Sequence, residues 1–152
     1  MVKDSLVTIT QAQALKELGF KEPTSGYLWK QGSGRIFIDT VWNHNSDNAC
    51  LSIPTADETI DWLRREYNII IYNKIEPFVD PIDDSHKTIL FKYGVKLCDT
   101  QHLGWNGRTD LGTTRLASNV YSLKREAISI ALKFIKNQKN GEHTKSTESP
   151  SF

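Results

Sequence analysis

Paired strand-like runs set between three helical stripes predict an α+β protein, an antiparallel sheet of four to five strands with three helices packed mainly on one face. Two observations carry this expectation. Apolar residues recur at helical spacing in three separate segments, each behind a residue able to cap a helix. The segments between them are rich in β-branched and aromatic residues and come in neighbouring pairs.

In chain order, Thr10 with Gln13 reads as a capping box, and Ala12, Leu15 and Leu18 make a short helix over about Gln11–Leu18, stopped by Gly19. "GYLWKQ" and "RIFIDTVW" flank Gly32-Ser33-Gly34 and predict a hairpin, followed by a polar loop at 43–48. Thr55 and Glu58 open a second helix whose stripe is Ala56, Ile60, Leu63 and Tyr67, with Asn68 as a left-handed stop. "IIIY" then begins a strand expected to be buried on both faces. Residues 73–87 form a long acidic loop, and "KTILFKYGVKL" a further strand with a bulge or close approach at Gly94. Ser118 or Asn119 caps a third helix with Val120, Leu123, Ala127, Ala131, Phe134 and Ile135 on its apolar face. Residues 1–136 are thus expected as one domain, a helix plus hairpin over 9–42 and an α-β-β-(β)-α unit over 54–136. Residues 137–152 have almost no apolar content and are expected as a disordered tail.

The totals exclude several classes. In 152 residues, a net charge of +1 exerts no global pull on nucleic acid or membrane, and no apolar run is long enough to span a bilayer. The N-terminus lacks a basic region followed by an apolar core, and Cys50 and Cys98 form no CxxC, so a cytoplasmic protein with reduced thiols is expected.

The stretch "GWNGRTDLGTTR" (104–115) approaches phosphate-loop spacing with Gly107, Gly112, Thr113 and Thr114. It lacks the lysine that would reach the outer phosphates, and the helix begins too late to aim its N-terminus there. Asn106-Gly107 reads instead as a hairpin turn displaying Trp105 and Arg108, with Gly112 marking a second turn. Glu76, Asp80, Asp83, Asp84 and His86 have no EF-hand order and read as a solvated loop. Pairing of Cys50 with His44, or Cys98 with His102, stays open because such pairs are spatial. No metal motif, cofactor motif or catalytic constellation is present in the sequence.

Trp62 lies off the stripe of the second helix, so it either packs beneath the hairpin carrying Trp29 and Trp42 or anchors a partner. The third helix and its approach carry Arg115, Lys124, Arg125, Lys133, Lys136 and Lys139 against Glu126, a local net of +5.

"LKREAISIAL" (123–132), placed after a helix and successive strands, resembles the final helix of double-stranded-RNA-binding domains. That resemblance implies phosphate contacts by Lys124 and Arg125, although the loop that should be basic is acidic here. "ITQAQALKELGFKEPTSGY" (9–27), "IPTADETIDWLRREYNIIIY" (53–72) and "KREAISIALKFI" (124–135) resemble small uncharacterised phage and prophage proteins of gut Bacteroidetes. The second resemblance implies a cytoplasmic phage-encoded protein and no chemistry. The leading expectation is a non-enzymatic phage or mobile-element protein that binds another protein through Trp62, Arg65, Trp105 and Arg108. Nucleic-acid binding by Lys124 and Arg125 is the alternative, and neither a cofactor nor a membrane partner is expected.

Overall fold

The computed structural model describes residues 3–32, 34–74, 78–79, 89–98 and 108–147, with 78, 79, 108 and 141–147 described by backbone alone. Helix α1 spans Ile9–Glu17. It starts two residues earlier than the sequence suggests, because Thr8 and Gln11 close the capping box: Gln11 N donates to Thr8 Oγ1 and Thr8 N to Gln11 Oε1, both at 3.1 Å. Gln11 gains a second use from this placement. Its buried amide Nε2 donates to Arg125 O at 2.6 Å and to Ser129 Oγ at 2.8 Å. The chain leaves the helix through Gly19 at φ 90°, the left-handed stop expected there.

Strands β1 (Thr24–Trp29) and β2 (Ile36–Trp42) form the expected hairpin, and β3 (Cys50–Ile53) pairs on the other side of β1 to give the order β2-β1-β3. β3 is a strand the sequence reading passed over, a four-residue run between the polar loop and the cap of the next helix. All four of its residues are buried. Within the loop, residues His44–Ser46 make a 3-10 turn. Asn45 secures that turn, donating to Phe20 O and accepting from Ser52 N, both at 2.9 Å. Leu28, Leu51 and Ile53 face the core, whereas every residue of β2 after Ile36 is exposed.

Helix α2 (Ala56–Tyr67) is capped by Thr55, whose hydroxyl accepts from Glu58 N, and ends at Asn68 with φ 55°. The second sheet has the order β4-β7-β8, all antiparallel, from β4 (Ile69–Asn73), β7 (Tyr93–Cys98) and β8 (Arg108–Thr113). The expected single sheet is therefore two three-stranded sheets, accompanied by a two-stranded ladder of β5 (Phe78–Val79) with β6 (Ile89–Leu90). "KTILFKYGVKL" divides accordingly, β6 and β7 being separated by a bridge from Phe91 to Ala117. β4 lies at an edge, so it is not buried on both faces: Ile69 is buried but Ile70 is exposed. On that outer face the close approach foreseen at Gly94 is real. A Cβ there would overlap the Tyr72 ring, which also receives Lys96 Nζ at 4.7 Å from its centroid.

Helix α3 begins at Val120 with Asn119 as its cap, Ser122 N donating to Asn119 Oδ1 at 3.1 Å. It runs on to Thr147, so residues 137–147, expected as a disordered tail, continue the helix. Extending an existing helix needs no new nucleus, and lysine, glutamine and glutamate tolerate it well. Leu123, Ala127, Ile128, Ala131, Leu132 and Ile135 are buried along α3. They join Leu15, Phe20, Leu51, Ile53, Leu63, Ile69 and Val95 in one hydrophobic cluster drawing on both sheets and all three helices.

Two substitutions test this packing. Gln11→Ala removes a cap partner and leaves the Arg125 carbonyl without its donor, and is expected to cost about 1–3 kcal/mol in chemical denaturation. Gly94→Ala is expected to cost about 1–3 kcal/mol by overpacking, with part of that cost relieved when Tyr72 is replaced by alanine in the same chain.

Candidate functional site

Of the residues expected to meet a partner, Trp62 and Arg65 are described in full and Arg108 by backbone alone. Trp62 is only 4% exposed. It packs edge-on against Phe20 at 5.3 Å and Tyr67 at 5.5 Å between ring centroids. The cover is Phe20, from the connection between α1 and β1, rather than the hairpin tryptophans. Its position off the stripe thus means that α2 is buried on two sides, not that an anchor is displayed. Arg65 is exposed but held, donating to Asp61 Oδ2 at 3.0 Å and Glu22 Oε1 at 3.2 Å. The hydrogen bond from Arg64, followed by that from Arg65, holds the Asp61 carboxyl below its ordinary pKa. Trp105 and the Asn106-Gly107 turn lie outside the described residues. The backbone of Arg108 pairs with Cys98 across the ladder.

The remainder of the glycine-rich stretch is strand. Gly112 is no turn: it sits beside a bulge in β8 at φ 151°, with Ile130 of α3 3.0 Å from where its Cβ would be. Asp110 accepts the Gly112 N–H at 3.1 Å, and helix α3 starts at Val120, well beyond the two threonines. A phosphate held here would meet a strand edge and no helix N-terminus.

Lys124 and Arg125 have partners inside the chain. Lys124 Nζ donates to Asp57 Oδ1 of α2 at 2.7 Å, and its side chain is 19% exposed. Burial lowers the pKa of its ammonium, but the Asp57 hydrogen bond and charge outweigh this and the net shift is upward. Arg125 reaches the carbonyls of Asp4 and Leu6, pinning the N-terminal segment onto α3. Both side chains are thus engaged within the chain, Arg125 through Nη1.

Of the two open cysteine–histidine pairings, that of Cys50 with His44 falls among the described residues. Cys50 is buried, and burial together with the Asp47 carboxylate pushes its thiol pKa up, the opposite of what a nucleophile needs. His44 is occupied elsewhere, stacking on Tyr27 at 4.3 Å with its Nε2 3.3 Å from Thr40 O. His102 and the acidic loop residues expected to be solvated lie outside the described residues. Among the described residues, no group of three His, Cys, Asp or Glu side chains is placed to hold a metal ion, and no helix is long and apolar enough to cross a membrane.

What the fold does display is the N-terminal hairpin. Trp29 (45% exposed), Phe37, Ile38, Val41 (65%) and Trp42 (50%) are half of the ten exposed large hydrophobic residues among those described. Tyr27 organises them: it stacks on Phe37 at 5.6 Å and meets Trp29 edge-on at 6.3 Å, while His44 bridges from Tyr27 to Trp42 at 5.4 Å. Arg35 lies 5.8 Å above the Phe37 ring. The two edges of this sheet differ. On β3 the outward N–H of Ser52 is taken by Asn45, whereas β2 has no neighbouring strand beyond it among the described residues. Natural sheets blunt such edges with lysine, proline or a covering loop, and β2 carries aromatic and branched residues instead.

No family model, curated protein or solved structure matches the chain.

Because its thiol pKa is raised, Cys50 is expected to stay unmodified by thiol reagents in the native protein at pH 8, reacting only on unfolding. Mass spectrometry after timed alkylation reads this out. Arg125→Ala leaves two carbonyls of the N-terminal segment without their charged donor and is expected to cost about 1–3 kcal/mol, measured by denaturant titration.

Proposed function

We propose that this chain is a non-enzymatic protein of a phage or mobile element that works by binding protein through its N-terminal hairpin. One observation carries the proposal: an edge strand free among the described residues that bears Phe37, Ile38, Val41 and Trp42 in the open. Aromatic side chains on a firm backbone are favoured anchors in protein interfaces, and an unpaired strand edge adds main-chain hydrogen bonds to them. The binding surface moves accordingly from Trp62 and Arg65 to Trp29, Phe37, Val41 and Trp42. The phage origin comes from the resemblance of residues 9–27, 53–72 and 124–135 alone.

A photo-crosslinking amino acid at Val41 is expected to give covalent protein adducts in intact cells, well above those from the same group at exposed Asn137 of α3. Equal or absent adducts at Val41 would remove the hairpin as a binding surface. Phe37→Ser with Trp42→Ser is expected to abolish the adducts while changing folding stability by no more than about 1 kcal/mol, since both residues are exposed already.

A further inference from the structure

Because β2 is an edge, what can pair with it depends on which of its backbone groups point outward and what its side chains present there. Lys30 N donates to Ala49 O at 2.9 Å, continuing the β1–β3 ladder, in which Leu28 opposes Leu51 and Gly26 opposes Ile53. Ser52 N points away from β1 to Asn45. Hydrogen-bonded pairs alternate along an antiparallel ladder, so Leu28 and Gly26 bond to β3 while Tyr27 bonds to β2. Tyr27 opposes Phe37. The N–H and C=O of Phe37 therefore face inward, and those of Ile36 and Ile38 face the open edge.

The residues around Phe37 read Arg35-Ile36-Phe37-Ile38-Asp39, a run that is complementary to itself when reversed. Laid antiparallel on an identical copy with Phe37 opposite Phe37, it places Ile36 against Ile38 and Arg35 against Asp39, each twice by symmetry. The outward backbone groups fall in the same register. Ile36 and Ile38 become the hydrogen-bonded pair, and Phe37 the non-bonded pair, where side chains approach most closely. Shifting the register by two residues, the next slide that keeps outward backbone groups opposed, would set Phe37 against Asp39 and leave Arg35 without a carboxylate. Arg35 and Asp39 are both exposed, and among the described residues neither stands in an ion pair that this arrangement would break.

We infer that β2 pairs with β2 of a second copy of this chain across a two-fold axis, joining two three-stranded sheets into one of six strands. This rests on the hairpin being a protein-binding surface and names its partner. An isologous contact of this kind makes each residue meet its complement twice, so a favourable or unfavourable pair counts double.

Charge reversal supplies the test. Wild-type protein is expected to sediment as a dimer when concentrated from about 10 to about 500 μM, the range of a small transient interface. Arg35→Asp faces Asp39 with a second carboxylate, and Asp39→Arg faces Arg35 with a second guanidinium. Each alone is expected to weaken the dimer by about tenfold or more. Mixing the two variants restores both opposite-charge pairs and is expected to bring the dimer back as a heterodimer. In wild-type protein, hydrogen exchange at the Ile36 and Ile38 amides is expected to slow as concentration rises, while that at Phe37 does not change; this readout needs no variant. A monomer throughout the range overturns self-pairing, as does a dimer indifferent to both reversals or a mixture that stays monomeric. Protein adducts at Val41 from a chain that remains monomeric would leave the hairpin as a binding surface for a different protein and remove only the second copy.

Discussion

The first turns of α3 hold the molecule together. Neither sheet has more than three strands, and so few strands need a further layer to bury their apolar face. The second sheet obtains it from α3, while β3 of the first packs on α1, which is itself tied to α3. Gln11 ties the start of α1 to Arg125 and Ser129, Arg125 grips the N-terminal segment, and Lys124 reaches across to Asp57 of α2. Three parts of the chain, the N-terminal segment, α1 and α2, are thereby fixed to about two turns of helix, and buried residues of both sheets share one hydrophobic cluster with Leu123, Ala127 and Ala131. The Gln11 contacts and the bond from Arg125 to Leu6 O are partly shielded from water, where an unmade hydrogen bond costs more than a made one contributes.

This use of α3 bears on the basic residues at its start. Six cations over 115–139 suggest a surface for phosphates, yet Arg115 is spent on Glu126 and Ser122, Lys124 on Asp57, and Arg125 on main-chain carbonyls. Lys133, Lys136 and Lys139 stay exposed beside a shallow groove lined by Ala14, Leu18 and Leu132 of α1 and α3. Between α2 and α3 the chain forms β4 to β8, of which β4, β7 and β8 share a sheet and β5 with β6 a separate ladder, where an α-β-β-(β)-α unit was expected over 54–136. The basic pair expected to touch phosphates, Lys124 and Arg125, is engaged within the chain.

Much of the architecture was legible because its signals are local. Thr55 and Asn68 bracket α2, Gly19 ends α1, and Asn119 opens α3, each through hydrogen bonds or a backbone conformation within a few residues. The errors arise where a local signal had two solutions. Thr8 with Gln11 and Thr10 with Gln13 are equally good capping boxes, and the contact of Gln11 with α3, more than a hundred residues away, selects the first. β3 is only four residues long and carries no alternation, since it is covered on both faces. Its apolar run would have been its one signal.

By itself the sequence determined three helices with their caps, a hairpin about the glycines at 32 and 34, and Gly94 as a point of close approach. These depend on backbone preferences and hydrogen bonds that neighbouring residues supply. Only tertiary structure decided which apolar residues were left in the open. Trp62, polar-flanked on its helix, is buried under Phe20, while "IFIDTVW", apolar on both faces like an interior strand, lies at a sheet edge. Burial depends on what the rest of the chain places over a residue, and strand order is set by pairings between distant segments that no window of sequence contains.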